Sequence, residues 1–194
     1  MRITYKLLGC FLSISLLVSC QTGKPIKRLS NEGFMYAMIY DYENSPVPGV
    51  TVYLNKIKIA DSDIQGRFVL EKAKKGEHKI KLTKKGYETL EEVFRYDPMQ
   101  VLYFKMINTS QLLVLAETAL DNNEFDNAEN YINRALLLEP GRPDILFLKS
   151  IVFFLQSKDT EAAGILENLI KSGNTDPSIS QLLEKIRQKQ TAED

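Results

Sequence analysis

Residues able to do chemistry are few in this 194-residue chain: one histidine, His78, two cysteines, Cys10 and Cys20, and no tryptophan. A Cys/His zinc site needs several such ligands, and an activated nucleophile needs a base within reach, so both are disfavoured. Aspartate, glutamate and serine are plentiful, but none falls in a recognisable catalytic motif. The best-spaced acidic pair opens Asp61-Ser62-Asp63-Ile64-Gln65-Gly66, with aspartates at positions one and three, glycine at six and Phe68 at eight, as in a calcium-binding loop. Position twelve is Lys72, where a bidentate glutamate is needed, so a glycine-containing turn is the better reading. The expectation is a protein without catalysis, metal or cofactor. Its 25 basic and 25 acidic side chains balance, which argues against nucleic acid as a partner.

The remaining reactive side chain, Cys20, is placed by what precedes it. Arg2 and Lys6 lead into an apolar run from Leu7 to Val18, the charged-then-apolar order of a secretory signal. That run is too short for a membrane span, which takes about 20 apolar residues. Leu17-Val18-Ser19-Cys20 resembles the lipobox of bacterial lipoproteins. The resemblance implies a signal peptide over residues 1–19, cleavage before Cys20, and a diacylglyceryl group on the Cys20 sulfur, with further acylation of the new amino group. Several acyl chains together anchor stably where one does not. Cys10 would leave with the signal, so no intramolecular disulfide could form. Residues 20–32 are polar, contain Gly23 and Pro25 and show no periodicity, and so read as a flexible tether. Its Lys24, Lys27 and Arg28 would meet headgroups or remain solvated. Gln21 after the lipidated cysteine leans toward the outer membrane, facing the periplasm, in a diderm organism. Otherwise the anchor belongs on the outer face of the plasma membrane.

Residues 33–107 change character, to short Val-, Ile-, Tyr- and Phe-rich segments punctuated by Pro, Gly, Asn and Asp. This pattern predicts strands at 34–40, 50–55, 67–71, 77–83, 88–94 and 100–106, an all-β sandwich, with one buried and one wet face by alternation at 50–55 and 77–83. Gly33, Asp41, Pro46-Val47-Pro48-Gly49-Val50-Thr51-Val52-Tyr53-Leu54, Ser62-Asp63, Gly66, Phe68, Gly76 and Gly86-Tyr87 resemble the carboxypeptidase regulatory-like domain. The usual threonine before the aspartate is Ser62 here, and the stretch from Gly76 to Tyr87 would also suit the related PEGA-type envelope domains. The resemblance implies a prealbumin-type β-sandwich that serves as spacer, folding aid or interaction module without peptidase chemistry. His78 shares the parity of Ile80 and Leu82, so its ring should point into the sandwich as a structural residue. Lys72, Lys74, Lys75, Lys79, Lys81, Lys84 and Lys85 form a dense basic stretch. It could meet lipid headgroups or an acidic partner, although a solvated edge that discourages strand pairing needs fewer assumptions. Tyrosines 36, 40, 42, 53, 87, 96 and 103 leave a glycan-binding or peptidoglycan-binding sandwich as the alternative.

From Asn108 the period becomes 3.6 and the charge turns acidic, with 8 basic and 14 acidic residues over 108–194. An offset of 34 residues aligns 109–142 with 143–176. Leu112, Ala116, Ala119, Ala128, Ile132, Ala135 and Pro140 of the first unit resemble the tetratricopeptide repeat. Ala119 and Ile132 stand where aromatic residues are usual. Leu146, Ser150, Phe153, Ala162, Leu166 and Leu169 hold the corresponding places in a degenerate second unit. Asp176 and Pro177 then start a capping helix over 177–190 with one apolar stripe, and Gly173 closes the helix before it. In the tetratricopeptide family the positions held here by Leu113, Glu117, Leu120, Phe147, Ile151 and Phe154 line a concave groove that receives peptides or helices. The segment from Asp144 to Gln156 is apolar all round and should be buried on all sides. The groove is therefore either a recognition site or filled by the third helix, the sandwich or a second copy of the chain. Together these readings give a multidomain lipoprotein, all-β then all-α, held in the cell envelope by Cys20 and serving as a non-catalytic scaffold.

Overall fold

The computed structural model describes residues 34–193 apart from residue 72, so the signal, Cys20 and the tether lie outside the described residues. Seven strands precede five helices. The strands are β1 (Met35–Tyr40), β2 (Thr51–Leu54), β3 (Ile57–Asp61), β4 (Arg67–Leu70), β5 (Glu77–Thr83), β6 (Leu90–Arg95) and β7 (Leu102–Lys105). They form a three-stranded sheet in the order β4-β1-β7 and a four-stranded sheet in the order β3-β2-β5-β6. All pairings are antiparallel except β1 with β7.

Alternation decides which side chains meet between the sheets. Met35, Ala37 and Ile39 of β1, Phe68 and Leu70 of β4, Leu102 and Phe104 of β7, Val52 of β2, Ile80 and Leu82 of β5 and Phe94 of β6 share one buried core. Strand β3 is an addition to the six strands expected. It pairs with β2 through a hairpin whose turn residues, Asn55 and Lys56, have φ of 49° and 74°. Both central residues are therefore left-handed, as a tight two-residue hairpin turn demands. The sequence hid it because Asn-Lys lacks the glycine that usually marks such a turn, and Ile57, Lys58 and Ile59 are all exposed.

The strand register sorts the connections onto two ends. At the proximal end β1 begins opposite the close of β4, Met35 facing Leu70, and Glu77 of β5 faces Arg95 of β6. The β2–β3 hairpin, the 71–76 loop and the 96–101 loop lie there. His78 braces them, Nε2 lying 2.7 Å from the Lys74 carbonyl and Nδ1 lying 3.1 Å from the Asn55 amide nitrogen. A carbonyl only accepts, so Nε2 donates. The Asn55 Oδ1 accepts from the Lys79 N–H at 3.0 Å, which leaves its Nδ2 to donate to Nδ1. The histidine is thus a structural brace, but it sits half-buried at the rim, stacked on Phe94, rather than inside the core.

At the distal end Asp41, Ser62 and Gly66 form a knot. The buried Ser62 Oγ accepts from the Val50 N–H at 2.9 Å and donates to the Val47 carbonyl at 2.8 Å. Asp41 Oδ1 accepts from the N–H groups of Glu43 and Ser45. Gly66 has φ +72°, and a Cβ there would stand 2.4 Å from the Ile39 carbonyl oxygen. Only glycine fits that position.

The helices are α1 (Thr109–Asp121), α2 (Phe125–Leu138), α3 (Pro143–Leu155), α4 (Asp159–Lys171) and α5 (Pro177–Glu193). Asn108 and Gln111 close a reciprocal capping box on α1, with Asn108 Oδ1 accepting from the Gln111 N–H at 2.8 Å. Pro143 opens α3 at a position whose N–H needs no partner. Gly173 (φ +90°) ends α4, and the Asp176 carboxylate accepts from the Ser178 N–H at the start of α5. α5 runs three residues past the expected 190. None of the described helices is long and apolar enough to cross a membrane.

The two modules join without a spacer at the distal end. Met106 belongs to the sheet core, and its neighbour Ile107 belongs to the helical core. The Glu88 N–H donates to the Ile107 carbonyl, and the Thr109 N–H donates to that of Gly86. The sheet core therefore gives way to the helical core between residues 106 and 107.

Candidate interaction surfaces

The helical module is built from antiparallel pairs, α1 with α2 and α3 with α4, followed by α5. The first helices start at 109, 143 and 177 and the second helices at 125 and 159, so equivalent helices lie 34 positions apart. Small side chains sit where helices touch: Ala116, Ala128, Ala135, Ser150 and Ala162 have no exposed surface. A larger residue at any of them would hold the axes apart.

Helix α3 sits between two cores, not within one. Ile145, Leu148 and Val152 pack with α1 and α2, while Leu146, Phe147, Phe153 and Phe154 pack with α4 and α5. Of its thirteen residues only Ile145, Ser150 and Val152 are fully buried, which corrects the expectation of burial on every side. Lysine stems cover part of the remainder. Lys149 and Lys158 stand 5.4 and 5.1 Å over the Phe153 ring, and Lys185 and Lys189 of α5 stand 5.2 and 5.7 Å over Phe154. Lys189 Nζ is fixed by Asp159 Oδ2 at 2.7 Å.

The six residues expected to line a groove divide accordingly. Leu113 and Leu120 are half-buried against the first helical core, and Phe147 and Phe154 against the second. Glu117 is exposed, and Ile151 is half-buried but belongs to neither core. α5 thus covers Phe154, and none of Leu113, Glu117, Leu120 and Ile151 belongs to the core that α5 joins. The cover on Phe154 was illegible in the sequence, because the lysines responsible follow 31 and 35 positions later on a helix read only as a cap.

On the sheet module, the outer face of the three-stranded sheet carries Tyr36, 59% exposed, and Tyr103, 66% exposed. They share that face because both alternate with core residues. Tyr42, also exposed, follows β1 and lies under Lys105. The opposite outer face has an open depression of about 450 Å³ lined by Tyr53, Lys56, Lys79, Lys81, Thr83 and Glu91. Lys79 and Lys81 both pair with Glu91, at 2.6 and 3.1 Å. Hydrogen bonds from Lys79 and then Lys81 hold the Glu91 carboxyl below its ordinary value. The lysine stretch is therefore not one basic surface: part is neutralised across β5 and β6, and Lys84 Nζ donates to the Pro48 carbonyl.

The acidic turn holds its own backbone. Asp63 Oδ1 accepts from the N–H groups of Gln65 and Arg67, and Asp61 Oδ2 pairs with Lys58 at 2.9 Å. No group of three or more His, Cys, Asp and Glu converges among the described residues.

No protein-family model and no curated protein matches the chain. Among solved structures, the Bacillus anthracis TIE protein is 16% identical over 40% of this chain and 17% of its own length, with a TM-score of 0.35. The major pilin subunit BcpA of Bacillus cereus is 15% identical over 40% of this chain and 28% of its own, with a TM-score of 0.32. The chain spans less than a third of either protein.

Proposed function

We propose that the protein is a lipid-anchored envelope lipoprotein, non-catalytic, whose tetratricopeptide-like module binds a segment of another envelope protein. In this reading acylated Cys20 holds the chain at the membrane, and the prealbumin-type, carboxypeptidase regulatory-like sandwich orients the helices. The observation that carries it is the 34-position recurrence of helix starts with alanine or serine at the contacts. Such arrays present a face made of their first helices, on which an apolar segment can be anchored at successive turns. Leu113, Leu120 and Ile151 are apolar, half-buried and on first helices. Anchoring raises the local concentration of the module near its partner without adding any contact.

The test is copurification of the lipidated protein from gently solubilised envelopes, beside a Leu113→Glu/Ile151→Glu variant with an unchanged helical spectrum. A partner recovered with the original chain and lost from the variant supports recognition by the groove. Equal recovery with both overturns it. Labelling with a radioactive fatty acid, lost in Cys20→Ala, tests the anchor separately.

A second reading, binding of glycan or peptidoglycan, is favoured by the exposed Tyr36 and Tyr103 on one sheet face, since flat rings stack on sugar faces. Retention of the protein on cell-wall material, abolished by Tyr36→Ala/Tyr103→Ala, would support that reading over the first.

A further inference from the structure

The proximal end of the sheet module carries three large apolar side chains left exposed among the described residues: Met99, 91% exposed, Ile57, 69% exposed, and Phe34, 59% exposed. They come from three separate elements, and the strand register brings them to one end. Met99 is presented deliberately, because Asp97 Oδ1 accepts its N–H at 2.9 Å and the Asp97 carbonyl accepts that of Gln100, closing a turn with Met99 at the tip. Lys56, Lys74 and Lys75 lie on the same loops, all exposed. None of the three forms an ion pair among the described residues, whereas Lys58, Lys79 and Lys81 along the strands are all paired. Arg95 adds a further cation, and among the described residues Glu71, Glu77 and Asp97 are the acidic ones at this end. Exposed apolar tips ringed by unpaired lysines match the interface of an anionic bilayer, whose headgroups attract the ammonium groups while the apolar tips enter the acyl boundary.

We propose that this proximal end is a docking surface for an anionic phospholipid bilayer, with Phe34, Ile57 and Met99 entering the headgroup region and Lys56, Lys74 and Lys75 meeting the phosphates. Which bilayer it meets rests on the lipid-anchored reading above. Cys20 precedes Phe34 by 14 positions, and a chain of that length spans at most about 50 Å, so an anchored protein keeps this end within reach of its membrane. The helical module is joined at the opposite end and would face away from the lipid. The lipid and the surface would thus act together, the first supplying concentration and the second orientation.

The chain has no tryptophan, so a single one reports without background. The protein used begins at Gln21, without lipid; both modules retain their cores, which lie wholly between Met35 and Ile186. Met99→Trp should shift its emission to the blue on adding vesicles of phosphatidylcholine with 30% phosphatidylglycerol. Leu137→Trp, on a helical position 82% exposed, should not shift. Partition should be roughly tenfold weaker on pure phosphatidylcholine, and weaker by a similar factor for Lys74→Glu/Lys75→Glu on the mixed vesicles. No shift at Met99→Trp, an equal shift at Leu137→Trp, or binding indifferent to phosphatidylglycerol overturns the proposal. If Cys20 proves unacylated while the shift at Met99→Trp persists, the docking surface stands and the anchor falls.

Discussion

Arg134 grips Glu88 with both arms of its fork, Nε donating to Oε1 and Nη2 to Oε2, each at 2.8 Å. Helix α2 is thereby pinned to the loop before β6, across 46 positions of sequence. The guanidinium also lies 5.5 Å over the Tyr131 ring, and the Glu88 hydrogen bonds hold the Arg134 pKa above its ordinary value. The pair is about one-third exposed on each side, so its worth is real but screened.

Arg134→Ala should lower the unfolding free energy by about 1 kcal/mol at low salt, with Arg134→Lys failing to restore it because a single ammonium cannot make both bonds. A double-mutant cycle with Glu88→Ala, read by urea denaturation, isolates the coupling. Coupling indistinguishable from zero at low salt would show that the joint is held by Ile107 and the backbone bonds alone.

The distal knot makes a sharper demand. Gly66→Ala must move the Ile39 carbonyl or abandon a left-handed φ, and should cost about 2 kcal/mol or more. Ser62→Ala leaves the Val50 N–H and the Val47 carbonyl without their shared partner, at about 1–3 kcal/mol. Thermal unfolding measures both, and a Gly66→Ala protein as stable as the original would refute the geometry.

Packing between the helices predicts a contrast between two helical sites. Ala128→Leu forces extra volume between α1 and α2, at a cost of about 1–3 kcal/mol. Ile151→Ser, half-buried outside both cores, should cost about 1 kcal/mol or less. Helical melting followed by circular dichroism separates the two outcomes.

Acid should weaken the α2–α3 junction. Hydrogen bonds from Thr109 and then Arg142 hold the Glu139 carboxyl below its ordinary 4.5. Burial pushes Asp144 up, but the Arg142 hydrogen bonds and charge outweigh it and leave it below 3.8. Because both folded values lie below the unfolded ones, the stabilisation is present above pH 4.5 and is lost as pH falls from there through the depressed values. Arg142→Ala should lose stability at neutral pH and lose less on further acidification. An acid limb of unchanged slope in that variant would place the titration elsewhere.

Patterns that need only near neighbours were legible in the residues. Strand-forming residue types between turn clusters located six of the seven strands, and the change to a 3.6 period after Asn108 marked the stretch that holds the five helices. Helix limits were readable at Asn108, Gly173 and Asp176-Pro177 because caps act within one turn. Strand β3 escaped because its turn chemistry, left-handed Asn55 and Lys56, was not written in glycine. The placement of Leu113 and Leu120 against one helical core and of Phe147 and Phe154 against another was not legible. Lys185 and Lys189 reach Phe154 only because the fifth helix packs back against the fourth.

The sequence by itself therefore determined the two modules, their order and nearly all their elements, since hydrophobic periodicity and capping are local. Tertiary structure alone decided which lysines are neutralised, that Arg134 meets Glu88, and that Phe34, Ile57 and Met99 share one end. Those relations depend on strand order and on how two sheets close over one core. Free energy of burial fixes that arrangement through the whole module, so no short window of residues contains it.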